Sequence, residues 1–417
     1  QNLSAAVAPP YDQIDPEIQG KLYAMHPHNI VRITFGRDEP GDNGERNKYR
    51  RAKEHLERWI AEGVFLRESE PAIYPYHQIY RVGAETVTRR GFIALGELSE
   101  YAEGVVLPHE RTHPKPKEDR LKLLEATGAD IGLIFMLTGD PRGDLLAATS
   151  PPPGAAPLAE ARDLKGEIHR LWKITDQRAI AGAQALMADR SVIIADGHHR
   201  YETALEYRRR RAGADLKLMA FFSLEAPGLT ILPNHRLVHR VEDFALDRLL
   251  AGSDRWFDAE RLPAMGDAGE EASLIMAALL AQAKRSRPAV AAVAGSEPAC
   301  LLTLREGASG SIPWPSVTSP AWRGLVVSVL HEGLLKPFLD ITDEKLSQKT
   351  HVEYTADSSE AVTLARKGSY QAAFVIPPTT PEELQAVVRA GELLPQKSTH
   401  FYPKLLDGLV FHRLGEK

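Results

Sequence analysis

The sequence predicts an α+β fold, and three observations carry that expectation. Two strand-like runs, residues 72–80 and 88–98, are separated by a turn-prone stretch at 82–85. A compact apolar run, Val192-Ile193-Ile194-Ala195, meets Gly197 and then a helical pattern with Tyr201, Ala204 and Leu205 on one face. The last third reads helix–strand–helix around a strand at 372–376.

Taken in order, the opening Ala8-Pro9-Pro10-Tyr11-Asp12 has two prolines that enforce extended backbone, so a loop or edge segment is expected. Residues 46–62 form a helix, because Tyr49, Ala52, Leu56, Trp59 and Ile60 share a face and Gly63 follows as a stop. The prolines of 149–154 make a surface loop. A strand is expected at 169–174, after which Asp176 caps a helix reaching about Met187. The helix after Gly197 is expected from about Arg200 to Arg211, its basic end matching the negative pole of the helix dipole. Residues 255–283 read as helical, and 322–335 as an apolar helix. In the final helix Thr380 is the cap, Pro381 opens the first turn and Glu383 completes a capping box. Leu384, Val387 and Val388 form its inner face, and Gly391 ends it. These signals divide the chain into a mixed α/β region at 1–85, a core at 86–245 and a C-terminal α/β domain at 246–417.

Composition narrows the class. The chain has 417 residues, 43% of them hydrophobic, enough for packed cores in roughly two or three domains. A net charge of −5 disfavours a nucleic-acid partner. The single cysteine, Cys300, rules out an intrachain disulfide and a multi-cysteine metal site, fits a reducing compartment, and sits in an apolar run that suggests a buried thiol. No apolar stretch reaches the ~20 residues needed to cross a bilayer, and no basic-then-apolar leader opens the sequence. A cytoplasmic location without a membrane partner is therefore expected.

The strongest chemical signal is Asp196-Gly197-His198-His199-Arg200, where a strand ends and a helix begins. A helix N-terminus has unpaired N–H groups and partial positive charge, so it suits an anion. Gly197 allows close backbone approach, and two imidazoles and a guanidinium add donors for phosphate oxygens. Asp196 would repel bare phosphate, so it is read as a metal ligand bridging through Mg²⁺ or as a helix cap. A plain turn with exposed histidines is the bland alternative. A zinc site would need further ligands.

A second cluster is Leu107-Pro108-His109-Glu110-Arg111-Thr112-His113-Pro114-Lys115-Pro116-Lys117, stiffened by proline and followed by an amphipathic helix. Glu110, its one carboxylate, suits a general base acting on a hydroxyl, or else an ion pair in a basic loop. A third is Gln396-Lys397-Ser398-Thr399-His400-Phe401-Tyr402-Pro403-Lys404, a weaker signal for a small polar ligand. Asn234-His235-Arg236 reads as a turn or a polar wall, and Pro10-Tyr11-Asp12 is a further segment that could reach a ligand.

The segment Ile194-Ala195-Asp196-Gly197-His198-His199-Arg200 resembles the phosphate-binding motif of the ParB/sulfiredoxin-like superfamily, most closely the free L-serine kinase family of archaea. Pro108-His109-Glu110 matches that family upstream. Tyr370, Ala373, Phe374, Val375, Ile376, Pro378, Thr380-Pro381-Glu382-Glu383, Gly391-Glu392 and Lys397-Ser398-Thr399 match it downstream. Most of the chain, including Ala8-Pro9-Pro10-Tyr11-Asp12, also resembles the family DUF1015. The resemblance implies a ParB/sulfiredoxin-like core and a kinase that converts free L-serine to O-phosphoserine with ATP or ADP and Mg²⁺. By the same likeness Glu110 is the catalytic base. Asp196, Gly197, His198, His199 and Arg200 hold donor phosphates, and His109, Arg111, Lys397, Ser398 and Thr399 frame the substrate. The chain departs from that family in its length, in the insertion between Glu110 and Asp196, and at His400-Phe401. Alternatives are a ParB-like nucleotide-binding or nucleotide-hydrolysing regulator, a sulfiredoxin-like redox enzyme and a phosphatase. The first would bring a helix-turn-helix, which is not evident, and the second a cysteine near the phosphate loop, where Cys300 does not lie.

Overall fold

The computed structural model describes residues 2–112 and 114–415. The chain divides into two compact units, residues 1–230 with 403–417, and residues 231–402. The three-region division expected above differs for a physical reason. Strands β1 (Tyr74–Val82) and β2 (Glu85–Glu97) pair from Tyr74↔Ile93 to Val82↔Glu85, so a boundary at 85 would cut one hairpin. The chain also returns to the first unit at 403, well after the expected boundary at 245.

In the first unit the chain continues with β3 (Val106–Leu107), β4 (Ala129–Asp130), β5 (Ile134–Thr138), β6 (Ala159–Arg162), β7 (Ile168–Leu171), β8 (Val192–Asp196) and β9 (Leu216–Ser223). Its helices are α1 (Pro16–Met25), α2 (Val31–Thr34), α3 (Lys48–Ala61), α4 (Pro114–Thr127), α5 (Asp144–Ala148), α6 (Gln177–Met187) and α7 (His198–Arg210). Eight strands form one mixed sheet in the order β3-β8-β5-β9-β2-β1-β7-β6. Strand β8 runs parallel to β3 and antiparallel to β5. This interior position explains its unbroken apolar sequence, since Val192, Ile193, Ile194 and Ala195 are all buried. Tyr201, Ala204 and Leu205 of α7 pack on Ile134, Ile194 and Met219 of the sheet. The two ends of the chain meet here. Ala8 bridges Asp407 in antiparallel fashion, and His412–Arg413 pairs with β4.

Most expected elements are present with small shifts. Helix α3 buries Ala52, Leu56 and Trp59, and Asp176 caps α6 by accepting from the Ala179 N–H. Helix α7 starts two residues earlier than expected. Gly197 is its N-cap at φ 99°, a left-handed conformation that turns the strand straight into the helix, so both histidines lie in the first turn. Pro10 leads into a short 3₁₀ turn at Tyr11–Gln13 where a loop was expected.

The second unit carries a six-stranded sheet in the order Phe257–Arg261, Cys300–Leu304, Ala289–Val293, Ala372–Val375, His235–Val238, Val352–Thr355. Its neighbours pair antiparallel, and both faces are buried. The 255–283 stretch expected to be helical splits into the edge strand Phe257–Arg261 and the helix Ala268–Ala283, because pairing with Cys300–Leu304 overrides a charged, weakly β-prone sequence. Asn234-His235-Arg236 is not a turn: His235 opens a central strand, and the Arg236 side chain is fully buried. The 322–335 helix is interrupted at Leu325, whose backbone is extended, and includes a π-helical turn at His331–Leu335. Cys300 is buried in its strand, as expected.

The capping box at Thr380 forms in full, with Thr380 Oγ1 accepting from the Glu383 N–H and the Glu383 carboxylate accepting from the Thr380 N–H. Thr380→Ala should therefore lower unfolding stability by about 1 kcal/mol, with Thr380→Ser close to the parent. Urea denaturation reads this directly, and an unchanged midpoint for the alanine variant would show that the cap contributes nothing.

Candidate functional site

The parallel pairing of β3 with β8 aligns Val106 with Val192 and Leu107 with Ile193. The next residues, Pro108-His109-Glu110, are thereby carried alongside the end of β8 and the start of α7. The approach is close: the His109 and His198 rings are 4.7 Å apart at 73°. The His109 backbone N–H donates to His198 Nε2 at 3.2 Å, and its Nδ1–H donates to the Ile194 carbonyl. These contacts fix both tautomers, since an Nε2 that accepts carries no proton. Burial pushes both histidines below the usual imidazole range, His198 the further of the two. His109, expected to frame the substrate, and His198, expected to hold donor phosphate, thus contact each other in the turn, and burial disfavours the charged form of both.

Farther along, Thr112 Oγ1 and Lys117 Nζ both donate to Glu202 Oε2 of α7, at 2.7 and 2.8 Å. The Pro-His-Glu segment is thus pinned to the helix beyond its contact at His109. Glu110 is half-buried and Arg111 exposed, while His113 lies outside the described residues.

Asp196 is the electrostatic centre. Its Oδ2 accepts from Arg200 Nη2 and its Oδ1 from Lys404 Nζ, each at 2.7 Å. Burial raises the carboxyl, but Lys404 and Arg200 outweigh it and hold the group well below the usual carboxylate range. Arg200 also donates to the Leu133 carbonyl and is only 9% exposed, so it braces the turn from inside. With both Asp196 oxygens engaged by cations, the donor set does not fit a resident Mg²⁺. Among the described residues no group of three or more His, Cys, Asp or Glu is placed to hold a metal ion. What the turn offers an anion is the first turn of α7, where among the described residues no side chain caps the helix and no acidic residue lies. His199 sits there, half-buried.

Lys397, Ser398 and Thr399 belong to the second unit. Lys397 adopts φ 58°, and its carbonyl accepts from Arg236 Nη2 at 3.1 Å and Asn234 Nδ2 at 3.2 Å. Ser398 is buried, with its hydroxyl donating to the Pro395 carbonyl. Two groups of the first unit escape the sequence reading as site residues. Lys404 stands there only as the tail of a weak cluster, and Asp407 not at all. Their partners lie hundreds of positions away, so spacing carries no trace of them.

The Asp196 ion pairs yield a prediction with a definite sign. A carboxyl held low in the fold stabilises it fully above the ordinary carboxylate value near 4 and loses that contribution as pH falls through its lowered value. Asp196→Asn strands the buried Arg200 and the half-buried Lys404 and should cost about 3 kcal/mol at neutral pH. Its stability should also fall less steeply below pH 4 than the parent's. Parallel denaturation curves for the two across that range would contradict the assignment.

No helix among the described residues is long and apolar enough to cross a membrane. No curated protein matches the chain. Among solved structures, a free serine kinase in complex with AMP is 15% identical over 74% of this chain and 86% of its own, with a TM-score of 0.38. A conserved hypothetical protein from Pyrococcus furiosus is 15% identical over 76% and 93%, with a TM-score of 0.36. SbnI with C-terminal truncation from Staphylococcus aureus is 12% identical over 76% and 85%, with a TM-score of 0.37. The model of the DUF1015 family, described as protein of unknown function, matches residues 1–328, and the chain belongs to that family.

Proposed function

We propose that the chain is a nucleotide-dependent phosphotransferase that moves the terminal phosphoryl group of ATP or ADP to the hydroxyl of a small compound, free L-serine first among candidates, giving O-phosphoserine. One observation supports the reading: β3 pairs in parallel with β8, and the His109 N–H just after it donates to His198, so the segment carrying Glu110 runs beside the strand end where α7 begins behind Gly197. Phosphoryl transfer asks a protein chiefly to position the reactants and neutralise charge. The motif resemblance described above, within a ParB/sulfiredoxin-like core, is consistent with this arrangement.

The geometry refines the expected roles. Backbone N–H groups at the start of α7, with His199 beside them, would hold the donor phosphates. Asp196 and Arg200 act mainly on the turn, through their own ion pair. His109 and His198 form the neutral wall that sets the direction of Glu110, which would accept the hydroxyl proton as the oxygen attacks phosphorus. Arg111, Lys397, Ser398 and Thr399 stay proposed as acceptor-binding residues. A divalent cation would reach the reaction on the nucleotide.

Glu110→Gln should abolish at least 99% of turnover and leave nucleotide affinity within about threefold, since removing a general base costs ~10²–10⁴ in rate without touching the phosphate contacts. Steady-state kinetics paired with equilibrium nucleotide binding checks both halves. Normal turnover in this variant would remove Glu110 from the mechanism.

A further inference from the structure

The first unit holds a cavity of about 70 Å³ whose lining includes Tyr11, Arg120, Asp130, Arg200, Lys217 and Asp407 among apolar side chains. Its charged groups are nearly all paired. Arg120 bonds Asp119 and the Thr34 carbonyl. Lys217 bonds Asp130 and the Gly132 carbonyl. Arg200 bonds Asp196. Asp407 differs: it is only 4% exposed, and its Oδ1 is buried with no hydrogen-bond partner among the described residues. A buried carboxylate oxygen without a donor costs about 1–3 kcal/mol or more, so natural folds rarely leave one unless a ligand completes it.

The surroundings hold Asp407 in this state. Its backbone is fixed by a reciprocal pair with Ala8, Ala8 N–H to the Asp407 carbonyl at 3.2 Å and Asp407 N–H to the Ala8 carbonyl at 2.9 Å. Gly408 follows at φ 101°, where a Cβ would come within 3.1 Å of Ile30. Gly132 clears the other side, since a Cβ there would lie 3.1 Å from Arg200 Cδ and 3.8 Å from Asp407 Oδ1. Burial raises the Asp407 carboxyl to about 7 against the pull of Arg200, Lys217 and Arg120. Arg120, Arg200 and Lys217 each bond other groups, and none of them donates to Asp407.

We propose that this cavity binds a small primary ammonium compound, with the ammonium group donating to the Asp407 carboxylate. The size fits: the space is well below the ~150 Å³ that takes up benzene in an engineered apolar cavity, and it suits a head group of a few heavy atoms. An ion pair completed away from water is also the arrangement in which one charge–charge hydrogen bond is strongest. Arg120, stacked on the Tyr11 ring at 4.1 Å, lines the same space and can meet a carboxylate attached to the amine. The Ala8-Pro9-Pro10-Tyr11-Asp12 segment then has a definite role, because it buttresses Asp407 through Ala8 and supplies one wall of the cavity through Tyr11. The amine site goes beyond the phosphotransferase reading and does not rest on it.

The test is calorimetric titration of the full chain with ethanolamine, L-serine and 3-hydroxypropanoate, the last being serine without its amine, and separately with pyrophosphate. Ethanolamine and serine should bind, 3-hydroxypropanoate should bind at least tenfold more weakly, and Asp407→Asn should weaken the amines at least tenfold with pyrophosphate affinity unchanged. Equal binding of serine and 3-hydroxypropanoate, no amine binding by the parent chain, or amine affinity in Asp407→Asn within twofold of the parent would each overturn the proposal. Unchanged pyrophosphate affinity in Asp407→Asn serves as the check that the variant is folded, and the loss of amine binding in that variant separates this cavity from the acceptor site. Loss of pyrophosphate binding alone would count against the phosphotransferase reading and leave the amine site standing.

Discussion

The carboxylate of Asp196, shared between Arg200 and Lys404, is the interaction on which the rest of the first unit depends. It joins three parts of the chain at one point: the end of β8, the first turn of α7, and the segment that returns after the second unit. Two cations on one carboxylate offset the cost of burying all three. The result is a rigid turn whose helix N-terminus has no side-chain cap. Without the pair, Arg200 would leave a buried guanidinium beside the Leu133 carbonyl, and the strand-to-helix angle would lose its brace.

Around that point the fold adds neutral supports in place of further charges. Burial pushes His109 and His198 below the usual imidazole range, and His198 Nε2 accepts from the His109 N–H, so the site is less positive than a simple count of its basic residues implies. The ends of the chain are part of the same construction. Ala8 pairs with Asp407, and His412–Arg413 pairs with Ala129–Asp130, where Asp130 also holds Lys217. Residues remote in sequence thus converge because sheet pairing satisfies their backbone groups, and the side chains are carried along.

Much of this is legible from residues alone, and the limits have physical causes. The β8 strand, the helix after Gly197, the Asp176 and Thr380 caps and the 74–97 hairpin rest on local rules, and local rules suffice for them. The second unit's edge strand at Phe257–Arg261 reads as helix because its charges mimic a solvated helix face, while only its partner at Cys300–Leu304 makes it a strand. The histidines are recognisable as site residues but carry different chemistry from that expected, since their protonation follows from burial. Lys404 and Asp407 act through contacts that no periodicity encodes. The division into units fails for the same reason: a chain that leaves one unit at 230 and rejoins it at 403 shows no composition shift at either crossing.

The most direct test of the account follows the phosphoryl group itself. Incubating the chain with L-serine and ATP or ADP labelled in the terminal phosphate should place the label in O-phosphoserine, identified by mass spectrometry. Label found only as free phosphate, with serine unmodified, would contradict a transferase built on this turn and identify a hydrolase in its place.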